Sequence, residues 1–159
     1  MIRLYTLEEA KRWKQRAALM LALATGLVAL ALIVCIALCT QVNTGNAQIL
    51  LSAAITLFTL AGWAAILLGY FGYLPARAQA EHIGGMTTGT EEELEGVLTL
   101  LPDTFRIPKS VTVRRATLDT PQGPVSLSVS AALSRQLPTG VSLRVLTVRR
   151  FVAGYEVIA

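Results

Sequence analysis

QVNTGNAQ, Gln41 to Gln48, is a short polar segment without a single charge, and a long apolar run lies on each side of it. Asn43, Gly45 and Asn46 tolerate left-handed backbone and end helices, so they form turns. Eight residues suffice to join two antiparallel helices. The segment therefore reads as the tip of a helical hairpin.

Outward from the turn, the two runs set the environment. The first covers residues 17–40 and the second residues 49–74. As a helix at about 1.5 Å per residue, each exceeds the roughly 30 Å of a bilayer core. The first holds seven Leu, two Ile and two Val; at about −0.5 kcal/mol each, they favour insertion by about 5 kcal/mol. Sixty consecutive residues, 17–76, contain no Asp, Glu, Lys or Arg. A cleaved signal peptide has an apolar core of only about 7–15 residues, too short to account for the first run. The sequence predicts a two-span transmembrane hairpin over 17–74.

Neutrality of the turn carries the orientation. Cationic residues flanking spans stay on the cytoplasmic side. Arg3, Lys11, Arg12, Lys14 and Arg16 precede the first span, Arg77 follows the second, and the turn has none. Both termini are expected in the cytoplasm, with the turn outside a bacterial plasma membrane. Residues 1–16 carry net +3, which suits anionic headgroups. Thr6-x-x-Glu9 is a capping box that starts a basic amphipathic helix. Trp13, Tyr70, Phe71 and Tyr73 fall where an interfacial aromatic belt belongs.

Three side-chain patterns mark the spans. Ala18, Ala22 and Gly26 recur every four residues on the first, and Ala61, Ala65 and Gly69 on the second. Such stripes let helix backbones approach, and they are the expected helix-packing contact. Ser52, Thr56 and Thr59 form a mildly polar stripe, expected to hydrogen-bond back to helix carbonyls. Cys35 and Cys39 share a face and are expected to act as small apolar residues.

Residues 75–90 read as a linker, with Pro75 breaking the helix and Gly84 to Thr90 as a flexible joint. His82, the only histidine, has no visible partner there. From residue 91 to 159 the apolar period becomes two, the signature of strands. Thr120 to Gly123 turns one hairpin, with Pro121 at its second position. A slip in apolar phase from Val111 and Val113 to Ala116 and Leu118 predicts a bulge near Arg114–Arg115. Ser130 to Gly140 reads as one short helical turn. Five short strands suggest a small OB- or SH3-like β-barrel, with an open sheet as the alternative. The predicted fold class is thus an α+β membrane protein, a two-helix hairpin followed by a five-stranded barrel.

Chemistry is less legible. Residues 91–159 contain neither Cys nor His, and no phosphate loop, metal spacing or nucleophile elbow appears. No catalytic, metal or cofactor site is expected, and the chain does not read as an enzyme. Arg114–Arg115 and Arg149–Arg150, with Arg106, Lys109 and Arg144 nearby in sequence, are candidate partner- or lipid-binding residues, provided their strands are neighbours. Nucleic acid is not expected, because the domain is nearly charge-balanced and its aromatics, Phe105, Phe151 and Tyr155, are needed for the core. The expected role is a membrane-anchored interaction or assembly module, in contact with the lipid bilayer and a protein partner or further copies of itself. The alternative is a subunit of an oligomeric channel with a β vestibule. In layout the chain resembles bacterial proteins that carry an OB-like domain behind a short membrane segment, such as the NfeD-like group; the resemblance is one of architecture and no motif carries it.

Overall fold

The computed structural model describes residues 1–107 and 111–158. The chain forms two compact units, one of residues Lys14–Arg77 and one of Met1–Trp13 together with Ala78–Ala159.

Lys14–Arg77 is helical. Helix α1 spans Leu7–Thr40 and helix α2 spans Ala47–Leu67. A π-helical segment, Leu68–Tyr73, joins α2 without a break to helix α3, Leu74–Thr88. Both long helices are long and apolar enough to cross a membrane, and only 11% of the most apolar window of each is buried. Pro75 explains the π segment. A proline lacks an N–H and its ring clashes with the carbonyl four residues back; a π turn absorbs such a defect without ending the helix. The Leu74 N–H accordingly reaches back five residues to the Gly69 carbonyl. The expected break at Pro75 is therefore a local widening.

The turn between α1 and α2 is held by its two asparagines. The Asn43 Oδ1 accepts from the backbone N–H groups of Gly45 (3.0 Å) and Asn46 (3.1 Å). The Asn46 Oδ1 accepts from the Asn43 N–H at 2.7 Å, and its Nδ2 donates to the Gln41 carbonyl at 3.2 Å. Helix ends leave orphan backbone groups that need partners. Two neutral amides supply them here without charge.

The helix–helix contact differs from the expected stripes. Ala18, Ala22 and Gly26 are exposed, while the shielded face of α1 runs through Ala17, Met20, Ala24, Leu27, Ala31, Cys35 and Leu38. On α2, Ala61 is buried and Ala65 and Gly69 are half-buried. Each residue advances a helix by about 100°, so a strict four-residue step drifts by about 40° at each repeat. Alternating steps of three and four stay on one face. The helices meet at one end where the Cys35 thiol donates to the Ala54 carbonyl at 3.3 Å. Towards the other end they meet at Gly72, where an added Cβ would lie 3.0 Å from the Met20 sulfur. Between these contacts lies an apolar groove of about 390 Å³, lined by Leu27, Ala31, Leu57 and Ala61 among others.

The second unit is a six-stranded sheet, antiparallel except for one contact. Strand β1 is Ile2–Arg3, β2 Glu91–Ile107, β3 Val111–Thr120, β4 Gly123–Ser130, β5 Ser142–Val148 and β6 Phe151–Val157. The order is β1-β6-β4-β3-β2-β5, and β5 also pairs with β6. Strand β4 meets β6 in parallel at Ser128 and Phe151. A 3-10 turn at Ser134–Gln136 occupies the expected helical turn. The core contains Leu98, Leu118, Leu127, Val129, Leu143, Val145, Val148 and Val152. It also takes in Leu4, Tyr5 and Ala10 from the N-terminal arm, and Ile83 and Met86 from α3.

Two expectations are corrected here. The joint foreseen at Gly84 to Thr90 is helical as far as Thr88, because Ile83 and Met86 bury one face of α3 in this core. The bulge lies in β2 rather than β3. Strands β3 and β4 pair in unbroken register, while β2 is irregular between Leu100 and Thr104. Pro102 sits in that gap and cannot donate to a ladder. Strand β2 also changes partner midway, from β5 along Glu91–Val97 to β3 from Val97 onward. Gly96 makes the switch feasible, since a Cβ there would strike the Asp119 carbonyl oxygen.

The first residues are not merely a basic helix. Thr6 and Glu9 form the capping box, with Glu9 N–H to Thr6 Oγ1 at 3.2 Å and Thr6 N–H to Glu9 Oε2 at 3.4 Å. Ahead of it, Ile2 and Arg3 pair with Tyr155 and Gly154 of β6. Trp13, expected in an aromatic belt, is half-buried against the β core.

Candidate functional site

The register of three strands brings the two arginine pairs together. Arg115 on β3 faces Ser128 on β4, and Ser128 faces Phe151 on β6. The Ser128 N–H donates to the Arg150 carbonyl at 2.8 Å. Arg115 and Arg150 thus lie about two strand spacings apart, roughly 10 Å, with β4 serines between them.

The sequence places Arg149 and Arg150 on a strand, and the structure does not. They are the two-residue turn between β5 and β6, closed by the Val148–Phe151 pair. Their φ angles are +50° and +65°, the only positive values at non-glycine residues among the described residues. Tight β-hairpins favour turns with both central residues left-handed, which match strand twist. Asn and Gly adopt that backbone cheaply, whereas longer side chains do so at a cost. Both arginines are exposed.

The other pair divides between two faces. Arg115 is exposed, and its guanidinium carbon lies 5.3 Å from the centre of the Phe105 ring, within cation–π range. Arg114 faces Val129 across the ladder, and its Nε is buried with no hydrogen-bond partner among the described residues. Two other basic residues of the unit, Arg144 and Arg3, are paired with carboxylates. Arg144 donates to Glu95 at 2.7 and 2.8 Å, and Arg3 lies 3.3 Å from Glu91. Lys109 lies outside the described residues.

Beside this face is a cluster the sequence did not signal. His82 of α3 stacks edge-on between Tyr5 and Phe151, with ring centres 5.8 and 5.1 Å away. The Tyr5 hydroxyl and the His82 Nε2 are buried and lack hydrogen-bond partners among the described residues. Burial pushes the Tyr5 phenol up to about 12; the neighbouring Ser130 backbone and hydroxyl pull it partly back, and the Glu9 carboxylate raises it. Burial also holds His82 below its ordinary value. Both groups are therefore uncharged at neutral pH, and they fasten the N-terminal arm and α3 onto β6.

Only long-range contacts reveal this cluster, since a lone tyrosine and a lone histidine 77 positions apart carry no periodic signal. Among the described residues, no three His, Cys, Asp or Glu side chains converge as metal ligands. What the arrangement offers chemically is three exposed guanidinium groups around a serine-bearing strand. No family model matches the chain, and neither a curated protein nor a solved structure matches it.

Proposed function

We propose that this chain is a bacterial plasma-membrane protein whose helical hairpin anchors a small cytoplasmic β-domain used for interaction or assembly. The observation that carries the membrane reading is the exposure of the helices. Leu30, Ile33, Ile55, Leu60 and Ile66 are each more than 60% exposed, in a tract of sixty residues without charge. Such surface is costly in water at about 25 cal/mol per Å². It is at ease in hydrocarbon.

The β-domain reads as a closed barrel of the OB type. Strands β2, β3, β4, β6 and β5 each pair with the next, and β5 returns to β2; a short parallel contact completing an otherwise antiparallel ring supports closure. A binding role is favoured over catalysis by exposed arginines next to a cluster that is neutral and structural. The Ser52 hydroxyl donates to the Gln48 carbonyl at 2.6 Å. That use of the hydroxyl within its own helix favours an anchor over a pore wall.

Membrane residence and orientation are tested together. In a Cys35→Ala, Cys39→Ala background, Thr44→Cys in the turn and Gln122→Cys in the β3–β4 turn are labelled with an impermeant thiol reagent in intact cells. Thr44→Cys should react directly and Gln122→Cys only after permeabilisation. Reversed labelling overturns the orientation, and extraction of the chain by carbonate overturns the anchor. Crosslinking from native membranes should recover a partner, or a second copy, joined through the β-domain.

A further inference from the structure

We propose that the Arg149–Arg150 turn, together with Arg115 and the hydroxyls of Ser126 and Ser128, is a binding site for a phosphate-bearing ligand. The inference rests on reading the β-domain as a binding module and is independent of where the helices reside.

The first argument is conformational. A two-residue hairpin turn with both φ angles positive, +50° and +65° here, is the position where Asn-Gly is strongly preferred. Strained backbone of this kind persists where surrounding structure enforces it, and it clusters at functional sites. Two arginines therefore occupy the least suitable backbone in the domain.

The second argument is electrostatic. Arg149 and Arg150 are exposed and make no ion pair among the described residues. The nearest acidic residue in the ladder, Glu91 opposite Val148, is held by Arg3 at 3.3 Å. The charge of the turn is thus left for an outside anion.

The third argument is the layout. Arg115 stands opposite Ser128, which is bonded to the Arg150 carbonyl at 2.8 Å. Ser126 lies two residues along the same strand, on the same face. Guanidinium groups bind phosphate oxygens in a bidentate fork, and hydroxyls between them add donors. A planar carboxylate needs one fork. A phosphate can share its oxygens among several donors, which suits basic residues placed on both sides of a serine strand by the strand register. The site therefore fits phosphate better than an acidic side chain.

The test compares the native chain with Arg149→Asn/Arg150→Gly in uncharged detergent. Arginine side-chain N–H resonances are followed on adding inorganic phosphate, micellar phosphatidylglycerol or a glutamate-rich peptide. The double variant should fold and melt several degrees higher, since its turn residues suit the backbone, yet bind at least ten-fold more weakly. Arg149→Lys/Arg150→Lys, which keeps charge but loses the fork, should bind with intermediate strength. A response to inorganic phosphate identifies a soluble phosphate ligand, and a response confined to phosphatidylglycerol identifies a lipid headgroup. Either outcome sustains the site. It is overturned if neither probe moves the Arg149 and Arg150 signals, if the Asn-Gly variant binds as well as the native chain, or if the glutamate peptide binds as tightly as phosphate. None of these outcomes bears on the membrane anchor, which the labelling and carbonate experiments judge separately.

Discussion

The hairpin and the β-domain use the same side chains to opposite ends. In the β-domain Leu98, Leu118, Leu143, Val145 and Val152 are 0% exposed, whereas Leu30 and Leu60 of the hairpin are 61% and 63% exposed. A leucine removed from water contributes about 1.5–3 kcal/mol, and the β-domain is built on that term. On the proposed membrane reading the term vanishes between helices, because acyl chains are as apolar as leucine. The hairpin relies instead on a few specific contacts, namely the asparagine turn, the Cys35 thiol on Ala54 and the packing of Met20 against Gly72. One chain thus contains two folding problems with different dominant forces.

Substitutions should separate these forces. The largest effect is expected from Leu118→Ala, which empties a fully buried site and should destabilise the β-domain by about 2–5 kcal/mol. Leu60→Ala in the hairpin should change the stability of the detergent-solubilised chain by less than about 0.5 kcal/mol. Paired melts followed by circular dichroism measure both, and equal losses would erase the contrast.

Next is the ionisation of Tyr5. Its pKa rises from 10.0 to about 12 on folding, so the folded state holds its proton where the unfolded state releases it. The contribution is complete below pH 10 and is lost as pH rises towards 12, amounting to about 3 kcal/mol. Tyr5→Phe should flatten the alkaline loss of stability, read as unfolding midpoint against pH. An unchanged profile would place the loss elsewhere.

A smaller effect is expected in the hairpin turn. Asn43→Ala removes the acceptor for two backbone N–H groups and should cost about 1 kcal/mol. Faster proteolysis at Gln41 to Gln48 in reconstituted vesicles would show it.

The smallest concerns His82. Its pKa is lowered by burial, so the unfolded state binds the proton more readily. Stability should be complete above the ordinary histidine pKa of about 6.5 and decline on acidification below it. His82→Phe should remove that acid slope and leave the melting point at pH 8 nearly unchanged.

How much of this was legible in the sequence depends on whether the deciding force was local. The apolar runs, the neutral turn and the Thr6–Glu9 capping box are local statements, and the structure has two long apolar helices, a polar turn and the cap where they were expected. The alternation of Val125, Leu127 and Val129 likewise announced β4. The β5–β6 turn was hidden because Arg149–Arg150 carries none of the Gly or Asn that usually marks it. Strand β1 was hidden because two residues show no period. The four-residue stripes misplaced the α1 face, since abundant alanine permits several registers and only the partner helix selects one. The neighbourhood of Arg115 and Arg150 rests on the parallel contact between β4 and β6, which no local pattern encodes.

The pairing of Ile2 with Tyr155 has a bearing on biogenesis. Strand β1 must wait for β6, with the whole helical hairpin made in the interval. Long-range pairing of this kind is slow, because loop closure precedes its reward. A nascent chain stopped before Phe151 would expose the ladder groups of Ile2 and Arg3 and the unsheltered rings of Tyr5 and His82. Burial of the amino-terminal arm thus waits on the synthesis of β6, about 150 residues later in the chain.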